Sequence, residues 1–369
     1  MNLQNSSLSV VLLKVDFRDL SIVNCTLTQD SCSFKPLHSQ LITMQRWIAE
    51  LSGEHDRLPA AELACIGTVL HTATQVAIFK ADSAAPFRRL ALTHAIMEYI
   101  GECPATLEAF DSFLAHAHIS EEKLFCGRMR KMADAPSDLK SSQCERLIGY
   151  HIKGQVSVST PEVVYRVLVA GDTCYFGKIV WEIDRDPYHA RKPGNRPFFH
   201  PGVMMPRNVR ALVNLSLAQP GDLLLDPFAG TGGTLIEAQE IGISCIGSDA
   251  DRHMIEGLQK NLPDACCLIA DATNLPFHDA TISHIVTDLP YGQSVCLIGA
   301  ERDILYSRSL REMERVLCTG GRGIVVSHID ARSIAADFFD ISDFFEQRIH
   351  KSLTRRIMVL EKIPSLCSI

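Results

Sequence analysis

The sequence predicts an α/β protein, with a doubly wound and mostly parallel sheet in its C-terminal half and a smaller α+β domain before it. From Pro206 onward, apolar runs of strand length alternate with amphipathic helical stretches, which is typical of parallel strands joined by covering helices. Four of these runs end at an aspartate, and a glycine-rich turn follows the first of them. Before residue 184 the helical and strand-like stretches are mixed, which indicates a separate α+β region.

Composition divides the chain into four segments. Residues 1–43 are rich in Ser, Thr and Gln and have no sustained period, so we expect a weakly ordered extension that is dispensable for folding and activity. Residues 44–184 are the predicted α+β region, 185–203 a basic and proline-rich linker, and 204–369 the predicted α/β domain.

In the α+β region, apolar spacing predicts helices over Leu58–Leu70, Phe87–Gly101 and Thr106–Ala117. Two strands follow, Pro161–Gly171 and Thr173–Ile183, joined by a Gly-Asp turn.

In the α/β domain the predicted helices cover residues 206–217, 233–242, 253–262 and 306–321. The predicted strands cover residues 222–228, 244–251, 266–271, 282–292, 322–329 and a closing strand at 350–363. In such a sheet, ligands bind at the carboxyl ends of the strands, near the point where the strand order reverses.

Composition argues against membrane, disulfide-rich and metal-binding classes. No apolar run approaches the roughly 18–20 residues needed to cross a bilayer. The 13 cysteines form no CxxC pair, which indicates reduced thiols and a cytoplasmic protein. His116 and His118 have no cysteine or acid at ligand spacing, so we expect no metal. We also expect a monomer.

Charge is unevenly distributed along the chain. The net charge is −7, but acids dominate from Asp222 to Glu301, while basic residues cluster elsewhere. Such clusters are either ordinary solvated surface or a surface for nucleic-acid phosphates. The candidate RNA-binding residues are Lys123, Arg128, Arg130, Lys131, Arg191, Lys192, Arg355 and Arg356.

The first strand of the α/β domain ends in DPFAGTGG. Asp226 closes the strand, and Gly230 and Gly232 allow a tight turn before Thr234 opens a helix. A dinucleotide-binding turn needs glycine at the position of Leu235, and a carboxylate before the glycines would repel a pyrophosphate. The turn therefore favours a cationic or amine-bearing ligand.

Acids also end the next three strands. Asp249 is placed to accept ribose hydroxyls, and Asp271 to accept an adenine amino group. Asp249 alone does not separate a nicotinamide cofactor from S-adenosylmethionine. Any single acid here has helix capping as its alternative, but four in this order favour a ligand site. The fourth strand ends in TDLPYG, which contains Asp288.

The segments DPFAGTGG, GSDAD, ADATNLPF and TDLPYG resemble, in order, the motifs of class I S-adenosylmethionine-dependent methyltransferases that modify exocyclic amino groups. With RPFFHP, SLTRRIMVL and LSGEHDRLPAAEL, the chain from about residue 46 onward resembles the archaeal tRNA guanine-10 N2-methyltransferases. Those proteins join a THUMP-containing region to a Rossmann-like methyltransferase domain. The family usually has a second proline where this chain has Leu289.

The resemblance implies S-adenosylmethionine as cofactor and tRNA as partner. The implied cofactor-binding residues are His200, Pro201, Asp226, Phe228, Ala229, Gly230, Gly232, Thr234, Asp249, Asp271 and Ala272. In RPFFHP, we expect Phe198, Phe199 and His200 to form an apolar plug over the cofactor.

The TDLPYG turn suits a planar amine. Guanine N2 is a poor nucleophile because its lone pair is delocalised into the ring. Asp288 and the Leu289 carbonyl can accept its two N–H groups, Pro290 stiffens the turn, and Tyr291 offers a stacking face. These four are the candidate catalytic residues.

Other functions stay open. The target guanine can lie at another tRNA position, such as 6, or in ribosomal RNA. Glutamine side-chain methyltransferases use a similar turn, usually with Asn in place of Asp288. A non-catalytic RNA-binding protein is the third alternative, although the intact acids and glycines argue against it. The sequence leaves open whether one or two methyl groups are added.

Overall fold

The computed structural model describes residues 45–136, 138–291 and 300–363. The predicted extension over residues 1–43 lies outside these residues. Within them the chain forms two seven-stranded sheets, one from each half of the sequence. The α/β fold class predicted from the sequence is confirmed for the second half, whose order of strands and helices alternates as expected.

The first sheet has the order β2-β3-β1-β4-β7-β6-β5. Its strands are β1 (Gln45–Leu51), β2 (Thr68–Ala73), β3 (Val76–Ala81), β4 (Thr93–Pro104), β5 (Phe125–Lys131), β6 (Val163–Ala170) and β7 (Thr173–Glu182). Only β5 and β6 pair in parallel; the other described pairs are antiparallel. Three helices accompany it: α1 (Leu58–Ala64), α2 (Leu107–Ala117) and α3 (Ser141–His151).

Two helix predictions in this region are wrong. The helix predicted over Leu58–Leu70 ends at Ala64, and the chain continues into β2. The helix predicted over Phe87–Gly101 is instead a short 3-10 turn followed by β4. β4 pairs with β1 on one side and β7 on the other, and its residues Ala95, Ile96 and Met97 are fully buried. The Ala95–Met97 stretch is buried on both faces and apolar throughout, so its pattern cannot be distinguished from that of a buried helix.

The second sheet has the order β10-β9-β8-β11-β12-β14-β13. Its strands are β8 (Leu223–Asp226), β9 (Ser244–Asp249), β10 (Cys266–Ile269), β11 (Ile282–Asp288), β12 (Leu317–Ser327), β13 (Phe339–His350) and β14 (Leu353–Lys362). It is parallel from β10 to β12, and β14 runs antiparallel between β12 and β13. The sequence did not predict β13. The helices of the second half are α4 (Asp186–Ala190), α5 (Pro206–Leu215), α6 (Gly233–Gln239), α7 (Arg252–Asn261), α8 (Ala300–Val316) and α9 (Arg332–Ala335).

A buried polar cluster joins α1 to α5. Glu62 on α1 is fully buried, and its Oε1 accepts from the Ala91 amide at 2.8 Å and from Asn214 Nδ2 at 2.6 Å. Its Oε2 accepts from the Leu92 amide at 2.7 Å. Arg89 Nε donates to the Asn214 side-chain oxygen at 2.8 Å. Burial raises the pKa of Glu62, but both of its oxygens have partners.

The strand order sets the position of the site. From β8 the chain moves to β9 and β10 on one side of the sheet, and then crosses to β11 and β12 on the other. The switch point is therefore between β8 and β11, where neighbouring loops diverge and leave a crevice at the carboxyl ends of the strands.

Candidate active site

A cavity of about 210 Å³ lies at this switch point, between the end of β8 and the end of β11. It brings together eleven of the predicted site residues: His200, Pro201, Asp226, Phe228, Ala229, Gly230, Thr234, Asp288, Leu289, Pro290 and Tyr291. It is also lined by residues that were not among the predicted site residues: Gly202, Val203, Met204, Val209, Thr231 and Gly233. Gly202, Val203 and Met204 directly follow RPFFHP, and Thr231 and Gly233 lie within DPFAGTGG, which was their signal in the sequence; Val209 on α5 had none.

The glycine-rich loop after β8 is fixed by the aspartate that ends β9. Gly230 and Gly232 have φ angles of 48° and 83°, a conformation that favours glycine. Asp249 Oδ2 accepts from the Gly230 amide at 3.0 Å, and its Oδ1 accepts from the Asp251 amide at 2.9 Å. Burial raises the pKa of Asp249. Asp249 therefore holds the glycine-rich loop through backbone hydrogen bonds that need no ligand.

Asp226 lies beneath this loop and is buried. Thr287 Oγ1 donates to Asp226 Oδ1 at 2.7 Å, and the Phe228 amide donates to the same oxygen at 3.2 Å. Burial raises the pKa of Asp226 to about 6, although these donors and Thr234 oppose the shift. The Thr287 hydroxyl thus connects the end of β11 to the end of β8, a role that the sequence did not indicate.

Asp288 is the carboxylate of the turn after β11. Its Oδ1 atom is buried and has no hydrogen-bond partner among the described residues. Burial raises the pKa of Asp288 to about 7, while the Tyr291 hydroxyl and the Arg355 guanidinium lower it and Asp226 raises it further. A buried acceptor without a partner costs roughly 1–3 kcal/mol, so one on a residue that lines a cavity points to a donor supplied by a ligand.

Neighbouring elements hold the turn itself. The Leu289 amide donates to the Val326 carbonyl at 2.9 Å, which extends the sheet past the end of β11. The buried Tyr306 on α8 donates its hydroxyl to the Pro290 carbonyl at 2.9 Å. The Tyr291 ring lies 5.0 Å from the His328 ring, centre to centre. Tyr306 and His328 come from distant parts of the chain and had no signal in the sequence.

The RPFFHP segment covers the site only in part. Asn261 holds Phe198 at both backbone groups, accepting from its amide at 2.8 Å and donating to its carbonyl at 2.9 Å. The Phe198 ring packs on α7 where Gly257 has no side chain; a Cβ there would lie 2.1 Å from the ring. Phe199 is 54% exposed. Of the expected plug, His200 alone lines the cavity, together with Pro201.

Four predicted cofactor residues do not line the cavity: Gly232, Asp249, Asp271 and Ala272. Asp271 is exposed and its Oδ1 accepts from the Thr273 amide at 2.8 Å, while Ala272 is buried beside it. Their roles in cofactor binding stay predictions.

Most of the predicted RNA-binding cations have partners within the protein. Arg191 donates to Glu237 and Glu240 at 2.8–3.1 Å, Arg130 pairs with Glu50, and Arg356 pairs with Glu346 at 2.8 Å. Arg128 and Lys131 donate to backbone carbonyls. Lys123 is exposed and Lys192 half-buried.

Arg355 requires a correction. It was predicted as a surface contact for RNA, but only 6% of it is exposed. Its Nε atom lies 3.4 Å from the Tyr291 hydroxyl. The reason is that the alternation along β14 directs this side chain toward the end of β11, whereas that of the adjacent Arg356 pairs with Glu346 on β13.

Comparison with known proteins identifies the family. Residues 193–357 match the family described as RMKL-like, methyltransferase domain. The tRNA (guanine(10)-N2)-dimethyltransferase of Methanothermobacter thermautotrophicus is 32% identical over 338 residues, which cover 85% of this chain and 98% of that protein. The chain belongs to the tRNA (guanine(10)-N2)-dimethyltransferase family.

A second family member supports the assignment, and a solved structure shares the fold. The tRNA (guanine(10)-N2)-dimethyltransferase of Pyrococcus abyssi is 35% identical over 250 residues, which cover 64% of this chain and 74% of that protein. A possible methylase from Clostridium difficile 630 shares the fold, with a TM-score of 0.51 and 13% identity over 86% of this chain and 98% of that one.

Two structural features bear on the other predicted properties of this family member. No described helix is both long and apolar enough to cross a membrane. Within the described ranges, no group of three or more His, Cys, Asp and Glu side chains is arranged to hold a metal ion.

Proposed function

We propose that this protein transfers methyl groups from S-adenosylmethionine to the exocyclic N2 of guanine 10 in tRNA. The observation that carries the proposal is Asp288 Oδ1, a buried acceptor without a partner in a cavity next to the glycine-rich loop. An exocyclic amine supplies the N–H donor that this oxygen lacks. Family membership makes guanine 10 the first candidate position.

The residues present fit S-adenosylmethionine. Asp226 lines the cavity at the end of β8, and its ionised carboxylate would stabilise the positive charge of a cationic ligand there. The Gly230–Thr234 loop brings backbone close to the ligand, and Asp249 lies at the end of β9, where ribose hydroxyls are accepted in this kind of sheet. When bound, the cofactor supplies an electrophilic methyl group on a positively charged sulfur.

The protein's own groups then act on the amine. Asp288 and the Leu289 carbonyl accept the two N–H groups of guanine N2, which localises the lone pair and orients it. The Tyr291 ring offers a face for the base, and stacking of this kind contributes roughly 1–3 kcal/mol. As N2 gains positive charge, the Asp288 carboxylate stabilises it and can take up the proton that N2 loses, since the pKa of Asp288 is raised to about 7.

The tRNA is proposed to contact the α+β region over residues 44–184 and the linker over 185–203. A second cavity, of about 290 Å³, supports the linker's part. It is lined by Arg185, His189, Lys192 and Arg207, together with Glu54. Met205, also in its lining, directly follows in sequence the Gly202–Met204 stretch that lines the first cavity. Phosphate contacts of this kind position the substrate, while contacts to the base select it. We expect the protein to act as a cytoplasmic monomer.

The test is a methyl-transfer assay with labelled S-adenosylmethionine on bulk tRNA, bulk ribosomal RNA and protein, followed by mass spectrometry of the modified nucleoside. We expect N2-methylated guanine at position 10 of tRNA, and the mass distinguishes one methyl from two. Label at position 6 of tRNA or in ribosomal RNA would mean that another nucleotide is methylated. Label on glutamine would mean that the substrate is a protein. No label in any acceptor would contradict the proposal.

A further inference from the structure

Arg355 is a buried cation that ties three parts of the site together. It lies on β14, its Nε atom is 3.4 Å from the Tyr291 hydroxyl, and its Nη2 atom is 3.4 Å from the Gly202 carbonyl. Gly202 lines the cavity directly after RPFFHP, and Tyr291 ends the catalytic turn. A single guanidinium on β14 therefore contacts both the residue that follows RPFFHP and the turn after β11.

Arg355 is important because the other charged group that acts on Asp288 is an acid. Asp226, at the end of β8, is the nearby acid that raises the pKa of Asp288, and Arg355 is the cation that lowers it. Tyr291 in the turn, Tyr306 on α8 and His328 after β12 also face the cluster. Arg302 on α8 acts on both Tyr306 and His328, whereas the cation that acts on Asp288 is Arg355. Burial lowers the pKa of His328, so it does not supply a second positive charge at neutral pH.

We propose, on the basis of the function above, that Arg355 is a positioning residue that holds the Tyr291 ring in place and keeps Asp288 ionised for its contact with the guanine amine. Protonated Asp288 keeps an acceptor oxygen, but it carries no charge to stabilise the positive charge on N2 and cannot take up the proton that N2 loses, so the fraction of ionised Asp288 sets the fraction of competent enzyme. Arg355 raises that fraction at neutral pH because its positive charge stabilises the carboxylate. It need not touch the substrate to do so.

The experiment is a pH profile of single-turnover methyl transfer for the wild type, Arg355→Gln and Arg355→Lys. Gln keeps a hydrogen-bond donor for Gly202 and Tyr291 but removes the charge, whereas Lys keeps the charge. We expect the rate to rise with pH through the Asp288 titration, and the midpoint of that rise to move upward by about one pH unit in Arg355→Gln. In Arg355→Lys the midpoint should stay at the wild-type value. The matched control is Arg348→Met, which removes an exposed guanidinium from β13 and should leave the midpoint unchanged.

A rate that falls equally at every pH in Arg355→Gln, with an unmoved midpoint, would show that Arg355 is only structural. If the Gln variant does not fold, Arg355→Lys still decides, because a midpoint displaced by about a unit with the charge retained also overturns the inference. Should the wild type methylate ribosomal RNA or protein instead of tRNA, the proposed substrate fails. The same pH comparison on that acceptor would then still test Arg355.

Discussion

Two acids have buried carboxylate oxygens: Glu62 lies between α1 and α5, and Asp288 lies at the end of β11. They differ in their hydrogen-bond partners. Glu62 has three donors within 2.6–2.8 Å, so both of its oxygens are satisfied by the protein. Asp288 has an oxygen with no partner among the described residues. We expect the first arrangement to contribute to stability, whereas the second leaves an acceptor that the proposed function assigns to the guanine amine.

The largest effect is expected at the unsatisfied acid. Asp288→Ala removes the group that orients the amine, so single-turnover methyl transfer to tRNA should fall by roughly 10²–10⁴, with affinity for S-adenosylmethionine retained. Asp288→Asn keeps an acceptor oxygen without the charge. A rate near that of the Ala variant means that charge dominates, and a rate near that of the wild type means that orientation does. Asp279→Ala, at a side chain 78% exposed, is the control. Wild-type rates in both Asp288 variants would remove the catalytic role.

The second-largest effect is expected at Glu62, the acid whose two carboxylate oxygens both have partners. Glu62→Ala leaves the Ala91 and Leu92 amides and the Asn214 side chain without their acceptor, so the free energy of unfolding should fall by about 3–4 kcal/mol in denaturant titration. The matched control is Glu54→Ala, a glutamate 47% exposed whose pairing with Arg207 is worth under about 1 kcal/mol. Equal losses in the two variants would contradict the distinction between the clusters.

Asp249 combines both behaviours, because its oxygens accept from Gly230 and Asp251 and it is also predicted to bind ribose hydroxyls. Asp249→Ala should weaken S-adenosylmethionine binding by about 2–4 kcal/mol in calorimetry. The exposed Asp264→Ala should not change it. Unchanged affinity in Asp249→Ala would reject the ribose contact and leave the residue with its backbone role alone.

The smallest effect concerns the stability cost of an unsatisfied acid. The pKa of Asp288 is raised from 3.8 to about 7 by burial, so its protonated form favours the fold and the ionised form opposes it. The contribution of Asp288 to the free energy of unfolding should therefore be fully present below about pH 4 and be lost as pH rises to about 7. Asp288→Asn removes the cost, so it should gain about 1–2 kcal/mol at pH 8 and nothing at pH 4. A stability gain that is equal at both pH values would show that the charge is not the cause.

The sequence was informative where the signal is local. Strand ends, glycines and TDLPYG depend on turn chemistry, and the structure brings Asp226, Gly230 and Asp288 to one cavity as their order predicted. β4 was predicted as a helix because burial on both faces removes the alternation that marks a strand. Neither the burial of Arg355 nor the Tyr306 hydroxyl bond could be predicted, since each depends on which distant strand or helix packs against the turn.

The position of β14 has a consequence for the order in which the protein folds. β14 is the last described strand along the chain, but it lies between β12 and β13, both of which precede it. A sheet of β8 to β12 can pair before β14 is available, whereas β13 joins the sheet only through β14. Because synthesis runs from the N-terminus and long-range pairing is slow, insertion of β14 is expected to be a late event. Arg355 arrives with that strand, so the TDLPYG turn gains its neighbouring cation only once β14 has paired.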